Sequence, residues 1–165
     1  MEQNRLDPCS ICLQPQPINP FKLPCDHIFC FLCAKGAVLT TSRCPLCRHS
    51  VSIRIFNNPT LLNSAANVEI ATFDENYHWY YEGIEGWWLY DSNTSIEIEQ
   101  NYQNGKDSCE VLIAGSIYII DFHRMIQYRK DLANAKIRRI KRDREENQIN
   151  THIKGVAGIR LTSPS

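Results

Sequence analysis

Seven of the eight cysteines fall between residues 9 and 47, and their spacing limits what the N-terminal third can become. The order is Cys9-x2-Cys12, twelve residues, Cys25-x-His27, two residues, Cys30-x2-Cys33, ten residues, Cys44-x2-Cys47. Two residues between cysteines form a tight knuckle that points both sulfurs at one ion, and zinc takes four nitrogen or sulfur ligands in a tetrahedron. Eight ligands therefore predict two structural Zn2+ sites, both closed, with no open position for catalysis. A segment of about fifty residues buries too little apolar surface to fold unaided. Zinc supplies on the order of 10 kcal/mol per structural site in small zinc peptides. From spacing alone the pairs can be divided between the ions in sequence, as in tandem zinc ribbons, or interleaved. A disulfide cluster is the remaining alternative. It conflicts with residues 1–7, which are polar and have no apolar run behind them, so that no secretory leader is expected.

The remaining composition is that of a soluble intracellular protein. Apolar stretches such as residues 111–114 and 117–120 are far too short to span a membrane. Net charge is zero, but no Lys or Arg occurs between Arg54 and Lys106, whereas residues 124–144 hold nine basic residues against Asp131 and Asp143. That asymmetry points to a local anion site rather than a basic surface.

The single residue between Cys25 and His27 matches the third and fourth ligands of the RING pattern, and residues 9–48 resemble RING ubiquitin ligases. The resemblance implies interleaving: Cys9, Cys12, Cys30 and Cys33 on one ion, and Cys25, His27, Cys44 and Cys47 on the other. It also implies an enzyme that forms no covalent bond to ubiquitin. Such a domain docks a ubiquitin-charged E2 conjugating enzyme and holds its thioester ready for a substrate lysine, which is catalysis by positioning. The docking positions it implies are Ile11, Leu39 on a helix expected over residues 34–39, and Pro45 and Leu46 in Cys-Pro-Leu-Cys. Leu39 replaces the Trp of many RINGs. Arg48 stands at the linchpin position, where a planar guanidinium can bond the conjugating enzyme and ubiquitin together.

Beyond the cysteines, Asn57-Asn58-Pro59-Thr60 signals a turn, with Thr60 able to cap a short helix over residues 61–66. From Tyr77 the chain becomes aromatic. Two strands are expected around a turn at residues 83–86, then a helix over residues 96–102 with caps at 92–95 and a stop at Asn104-Gly105. A hairpin over residues 109–122 and a short strand over 125–128 follow. Trp79 and Trp87 read as core. Because period 2 puts neighbours on opposite faces, Trp87 and Trp88 cannot share one core. Cys109 reads as a buried small residue rather than a thiol nucleophile.

Trp-Tyr-Tyr-Glu-Gly and Gly-Trp-Trp, with Trp79, Glu82 and Trp88, resemble a WWE domain. Together with Leu-Ile-Ala-Gly, Gln-Tyr-Arg, Ile-Lys-Arg-Asp and Lys-Gly-Val-Ala-Gly, they resemble the poly(ADP-ribose)-dependent RING–WWE ubiquitin ligases over about residues 6–161. The fold class implied is α+β: a cross-brace two-zinc RING domain at residues 6–53, a partly helical connector at 54–74, and a WWE domain at 75–146. The WWE domain is a mostly antiparallel half-barrel with one helix, and residues 147–165 complete its ligand site. The implied ligand is iso-ADP-ribose, the repeat of poly(ADP-ribose). Tyr81, Trp88 and Tyr118 fall at packing and hydroxyl positions, Gln127 at the adenine edge, and Arg138 and Lys154 at phosphate. Lys35 falls where a RING touches the bound polymer. Ile84 stands where a basic residue is expected, and the stretch between Asp143 and Lys154 is longer than expected.

The partners implied are a charged E2 enzyme, poly(ADP-ribose) and poly-ADP-ribosylated substrates, in the cytosol and also the nucleus. Tankyrase is implied as well, although no docking motif for it is visible, and no membrane is. Two other readings compete. One is a RING–WWE adaptor without ligase activity; the other is a nucleic-acid binder using residues 136–144.

Overall fold

In the computed structural model, residues 5–59, 61–62, 73, 77–144 and 153–160 are described. The chain divides into two compact units, Met1–Val68 and Glu69–Ser165.

The first unit has little regular structure. Strands β1 (Pro20–Lys22) and β2 (Ile28–Cys30) pair antiparallel, and α1 (Phe31–Thr41) follows without a break. The helix is longer than the expected 34–39. It begins directly after a zinc-site cysteine, so Cys33 and Lys35 lie in its first turns, and it ends where Ser42 turns left-handed (φ 55°). A 3-10 turn at Ile53–Phe56 brings Phe56 into a cluster with Phe21 and Phe31, with ring centroids 5.1–5.8 Å apart. Leu61 bridges to Phe21, and the Leu62 amide donates to the Pro20 carbonyl at 3.1 Å. The expected Thr60-capped helix falls largely on residues outside those described.

The second unit is an eight-stranded sheet carrying α2 (Ser92–Gln103). Its strands are β3 (Tyr77–Glu82), β4 (Trp87–Leu89), β5 (Ser108–Ile113), β6 (Ser116–Asp121), β7 (Ile126–Arg129), β8 (Arg138–Arg144), β9 (Ile153–Val156) and β10 (Ile159–Arg160). They lie in the order β10-β9-β4-β3-β8-β7-β6-β5, antiparallel except for β4 beside β9. Two Ala-Gly pairs make the tight turns. Ala114-Gly115 (φ 47° and 80°) and Ala157-Gly158 (φ 49° and 90°) both hold the positive φ that two-residue hairpins of the right twist require.

Helix α2 starts earlier than expected. Asp91 is its N-cap, accepting from the Thr94 amide at 3.1 Å, and residues 92–95 are already helical. The unit's core gathers Trp79, Tyr90, Ile98, Val111, Ile120 and Ile140. Trp87 is not part of it. It is half-buried under the Lys141 ammonium, 4.4 Å from its ring centroid, because its strand alternation puts it on the face opposite Trp79. The basic run of residues 138–144 is strand β8, in the middle of the sheet between β3 and β7.

Candidate functional site

The two zinc-ligand sets are interleaved in sequence but gather into two separate clusters in space. Cys9, Cys12, Cys30 and Cys33 bring their sulfurs within 4.8 Å of one another, and so do the ligand atoms of Cys25, His27, Cys44 and Cys47. Cys12 Sγ lies 3.6 Å from Cys30 Sγ, and His27 Nδ1 lies 3.4 Å from Cys25 Sγ and 3.5 Å from Cys44 Sγ. A tetrahedron with zinc–sulfur arms of about 2.3 Å has edges of about 3.8 Å, slightly less where nitrogen replaces sulfur, so both sets fit one zinc ion each. Hydrogen bonding from Cys33 lowers the Cys30 thiol to about 6, while the same bond pushes the Cys33 thiol up and burial pushes Cys12 up to about 11, so that negative charge in this set settles on Cys30.

Two of the knuckles share a backbone solution. Leu13 donates to the Cys9 carbonyl at 2.7 Å and Arg48 to the Cys44 carbonyl at 2.9 Å, each from a positive φ (64° and 60°). The knuckles thereby fix what they display. Ile11 is 40% exposed and Leu46 55%, each on a zinc loop, and Leu39 on α1 is 55% exposed. Pro45 and Arg48 are exposed, and the Arg48 carbonyl accepts from Arg43 Nη1 at 3.1 Å. Lys35 is half-buried, its ammonium 5.8 Å from the Phe31 ring centroid, and burial lowers its pKa.

In the second unit, strand register places five of the six expected ligand residues on one face. Tyr81 pairs with Trp88 and with Ile140, and paired residues share a face. Arg138 is two residues from Ile140 and therefore on the same side. It pairs with Gln127, and Gln127 pairs with Ile120, two residues from Tyr118. Tyr81, Trp88, Tyr118, Gln127 and Arg138 thus come from five strands to the face that carries the core. Arg138 Nη1 donates to the Glu82 carbonyl at 3.0 Å, which aims the guanidinium along that edge. Burial pushes the Tyr81 hydroxyl well above its ordinary pKa, so it stays a neutral donor.

Lys154 arrives differently. Strand β9 runs beside β4, with a register shift between Trp87 and Trp88. The Lys154 ammonium lies 3.2 Å from Glu85 Oε2, in the turn that also carries the fully exposed Ile84. Residues 145–152, which make the stretch before it unusually long, lie outside those described.

Sequence reasoning missed three residues that shape this face. Tyr90 is buried, packs its ring 5.0 Å from Tyr81, and donates its hydroxyl to Gln127 Oε1. Glu99 accepts from Trp79 Nε1 at 2.6 Å and holds Arg142 through two bonds at 2.8 and 3.0 Å. Glu85 pairs with Lys154 as described. Alternation from Trp88 to Tyr90 was the one local signal for Tyr90; the two carboxylates have none. Outside the face, Glu82 grips Arg139 with bonds of 2.6 and 2.9 Å.

Residues 7–48 match the Ring finger domain model and residues 77–142 the WWE domain model. The chain is 45% identical over 158 residues to "E3 ubiquitin-protein ligase rnf146" of Danio rerio, which covers 93% of this chain and 42% of that protein. It is 44% identical over 153 residues to the proteins of the same name in Xenopus tropicalis and Homo sapiens, covering 93% of this chain and 46% and 41% of theirs. The chain thus spans less than half the length of the curated relatives it matches. With two interleaved zinc sites followed by an aromatic sheet that bears one helix, the chain is a RING–WWE protein, similar over most of its length to the RNF146 proteins.

Proposed function

We propose that the chain acts as a RING-type E3 ubiquitin-protein ligase whose WWE domain binds poly(ADP-ribose), so that poly-ADP-ribosylated proteins become its substrates. The observation that carries this reading is the convergence of Tyr81, Trp88, Tyr118, Gln127 and Arg138 on one face. That set has the chemistry an adenosine diphosphate repeat needs. Aromatic rings and hydroxyls pack base and ribose, an amide reads the base edge, and Arg138 with Lys154 takes the phosphates by charge-assisted hydrogen bonds.

The ligase half is supported by the name its relatives carry and by the apolar side chains on the zinc scaffold. Ile11, Leu39 and Leu46, with Pro45, expose surface that a charged conjugating enzyme would cover, and Arg48 offers it a planar fork. Burial pushes the Cys109 thiol up to about 11, which suits a packing role and not that of a ubiquitin carrier. Lys35 is proposed as a polymer contact from the RING. Cytosol and nucleus are the compartments that go with such substrates.

Calorimetric titration of iso-ADP-ribose tests the ligand half: wild type binds, and Arg138→Ala weakens binding at least tenfold. Discharge of ubiquitin from a charged conjugating enzyme tests the other half. Ile11→Ala and Arg48→Ala each slow it while zinc content stays unchanged. Wild type that does not speed discharge would leave an adaptor that reads poly(ADP-ribose) without ligase activity, and full transfer by both variants would place the docking surface elsewhere.

A further inference from the structure

Tyr90 has no place in the reading above, yet it is tied to one of its residues. Tyr90 is 2% exposed and Gln127 4%, and the Tyr90 hydroxyl donates to Gln127 Oε1. A glutamine amide offers one acceptor oxygen and a nitrogen with two donors, so turning it over reverses what a ligand meets. With Oε1 held by Tyr90, the group left to a ligand is Nε2. That nitrogen has no hydrogen-bond partner among the described residues, and it is not sealed from the surface.

We infer that Tyr90 is a positioning residue for base recognition: by holding Gln127 Oε1 it presents Nε2 as a donor to ring nitrogen N1 of adenine, and so rejects a base whose N1 carries hydrogen. The inference rests on the proposed iso-ADP-ribose site. Arg138 and Lys154, the groups for phosphate, are only partly buried, whereas Gln127 lies deep in the face. A ligand anchored by its phosphates at those cations enters with the base edge farthest from its sugar towards Gln127. On adenine that edge carries the N6 amino group, a donor, and N1, an acceptor. Only N1 can take a hydrogen bond from Nε2. Hypoxanthine carries a hydrogen on N1 and would set donor against donor there, the costly arrangement at a buried position, unless the base slides along its edge to bring the O6 acceptor to Nε2.

The experiment titrates iso-ADP-ribose, and its counterpart with hypoxanthine in place of adenine, into the full chain. Wild type should favour adenine by about tenfold or more, the effect of one buried hydrogen bond lost and one donor stranded. In Tyr90→Phe the freed amide can turn over and offer Oε1 to the N1 hydrogen, so the preference should shrink to within about threefold. A Tyr90→Phe variant that weakens both ligands by the same factor, leaving their ratio unchanged, would show a merely structural residue and overturn the inference. Gln127→Leu keeps the test open if Tyr90→Phe does not fold. It should level the two ligands, and an adenine preference that survives it overturns the inference as well. Wild type that binds both ligands equally overturns the polarity argument but leaves the site. Wild type that binds neither removes the site reading, and the inference with it.

Discussion

Gly83 has no room for a side chain. A Cβ there would lie 2.6 Å from Trp88 Nε1 and 2.9 Å from Trp88 Cδ1. The amide of Gly83 also closes the turn, donating to the Gly86 carbonyl at 2.7 Å. Since Trp88 lines the proposed ligand face, the glycine sets where its indole rests. Gly83→Ala should push the indole aside and weaken iso-ADP-ribose about tenfold. Stability should fall by no more than about 1 kcal/mol, since the indole is half-buried and able to shift. Titration and a denaturant melt on the same variant check both halves, and unchanged affinity would mean the indole does not touch the ligand. Glu85 acts on the same edge in the opposite sense. Its carboxylate neutralises the Lys154 ammonium before any phosphate arrives, so Glu85→Gln should strengthen binding in a titration, by a few-fold at most because the carboxylate side of the pair is exposed and screened.

At the level of elements, α2 and β8 are joined by a carboxylate. Burial opposes ionisation of Glu99, but hydrogen bonds from Arg142, Gln103 and Trp79 outweigh it and hold the carboxyl below its ordinary 4.5. Arg142 is also stacked 4.0 Å from the Tyr77 ring centroid. A group whose folded pKa is depressed contributes stability that is present in full above its unfolded pKa and lost as pH falls through the folded value. The second unit should therefore lose stability below about pH 4.5. Glu99→Gln should cost about 1–3 kcal/mol at neutral pH, by weakening charge-assisted bonds, and should flatten that acid dependence. Denaturant melts at pH 7 and pH 3 decide it; an equal pH dependence in the variant would place the titrating group elsewhere. These elements also show what could be read from the chain alone. Zinc knuckles and Ala-Gly hairpins are local, and their spacing or turn chemistry announces them. Strand β8 is not local. Of Arg138–Arg144, Ile140 alone is a buried apolar residue, and the strand is held by Glu82, Tyr77 and Trp87 from elsewhere in the sheet and by Glu99 from α2. A run of cations looks like solvated surface until those partners are known. Trp87 was misread for the same reason, since nothing near it in sequence announces the Lys141 ammonium over its ring.

For the whole molecule, the two units are stabilised by different means. In the first, a small cluster built around Phe21, Phe29, Phe31, Val38 and Phe56 is supplemented by two metal sites. The second has an eight-stranded sheet and a core of its own around Trp79, and no metal-ligand cluster appears there among the described residues. All three tryptophans and all seven tyrosines lie beyond residue 76, in the second unit. Aromatic emission therefore reports on one unit and metal content on the other. A strong chelator should strip two zinc ions per chain and unfold the first unit, because structural zinc there supplies free energy on the order of 10 kcal/mol per site. Tryptophan emission should persist in the same sample, because no residue of that core binds metal, and iso-ADP-ribose affinity should fall by no more than the proposed Lys35 contact contributes. Ubiquitin discharge should disappear. Loss of tryptophan burial on chelation would mean that the second unit depends on the first for its fold. Discharge that survives complete zinc removal would separate the ligase activity from the RING altogether. Under the proposed function the distinction matters for control: a reader that stayed folded when its ligase module was lost would still occupy poly(ADP-ribose) and withhold it from an intact copy.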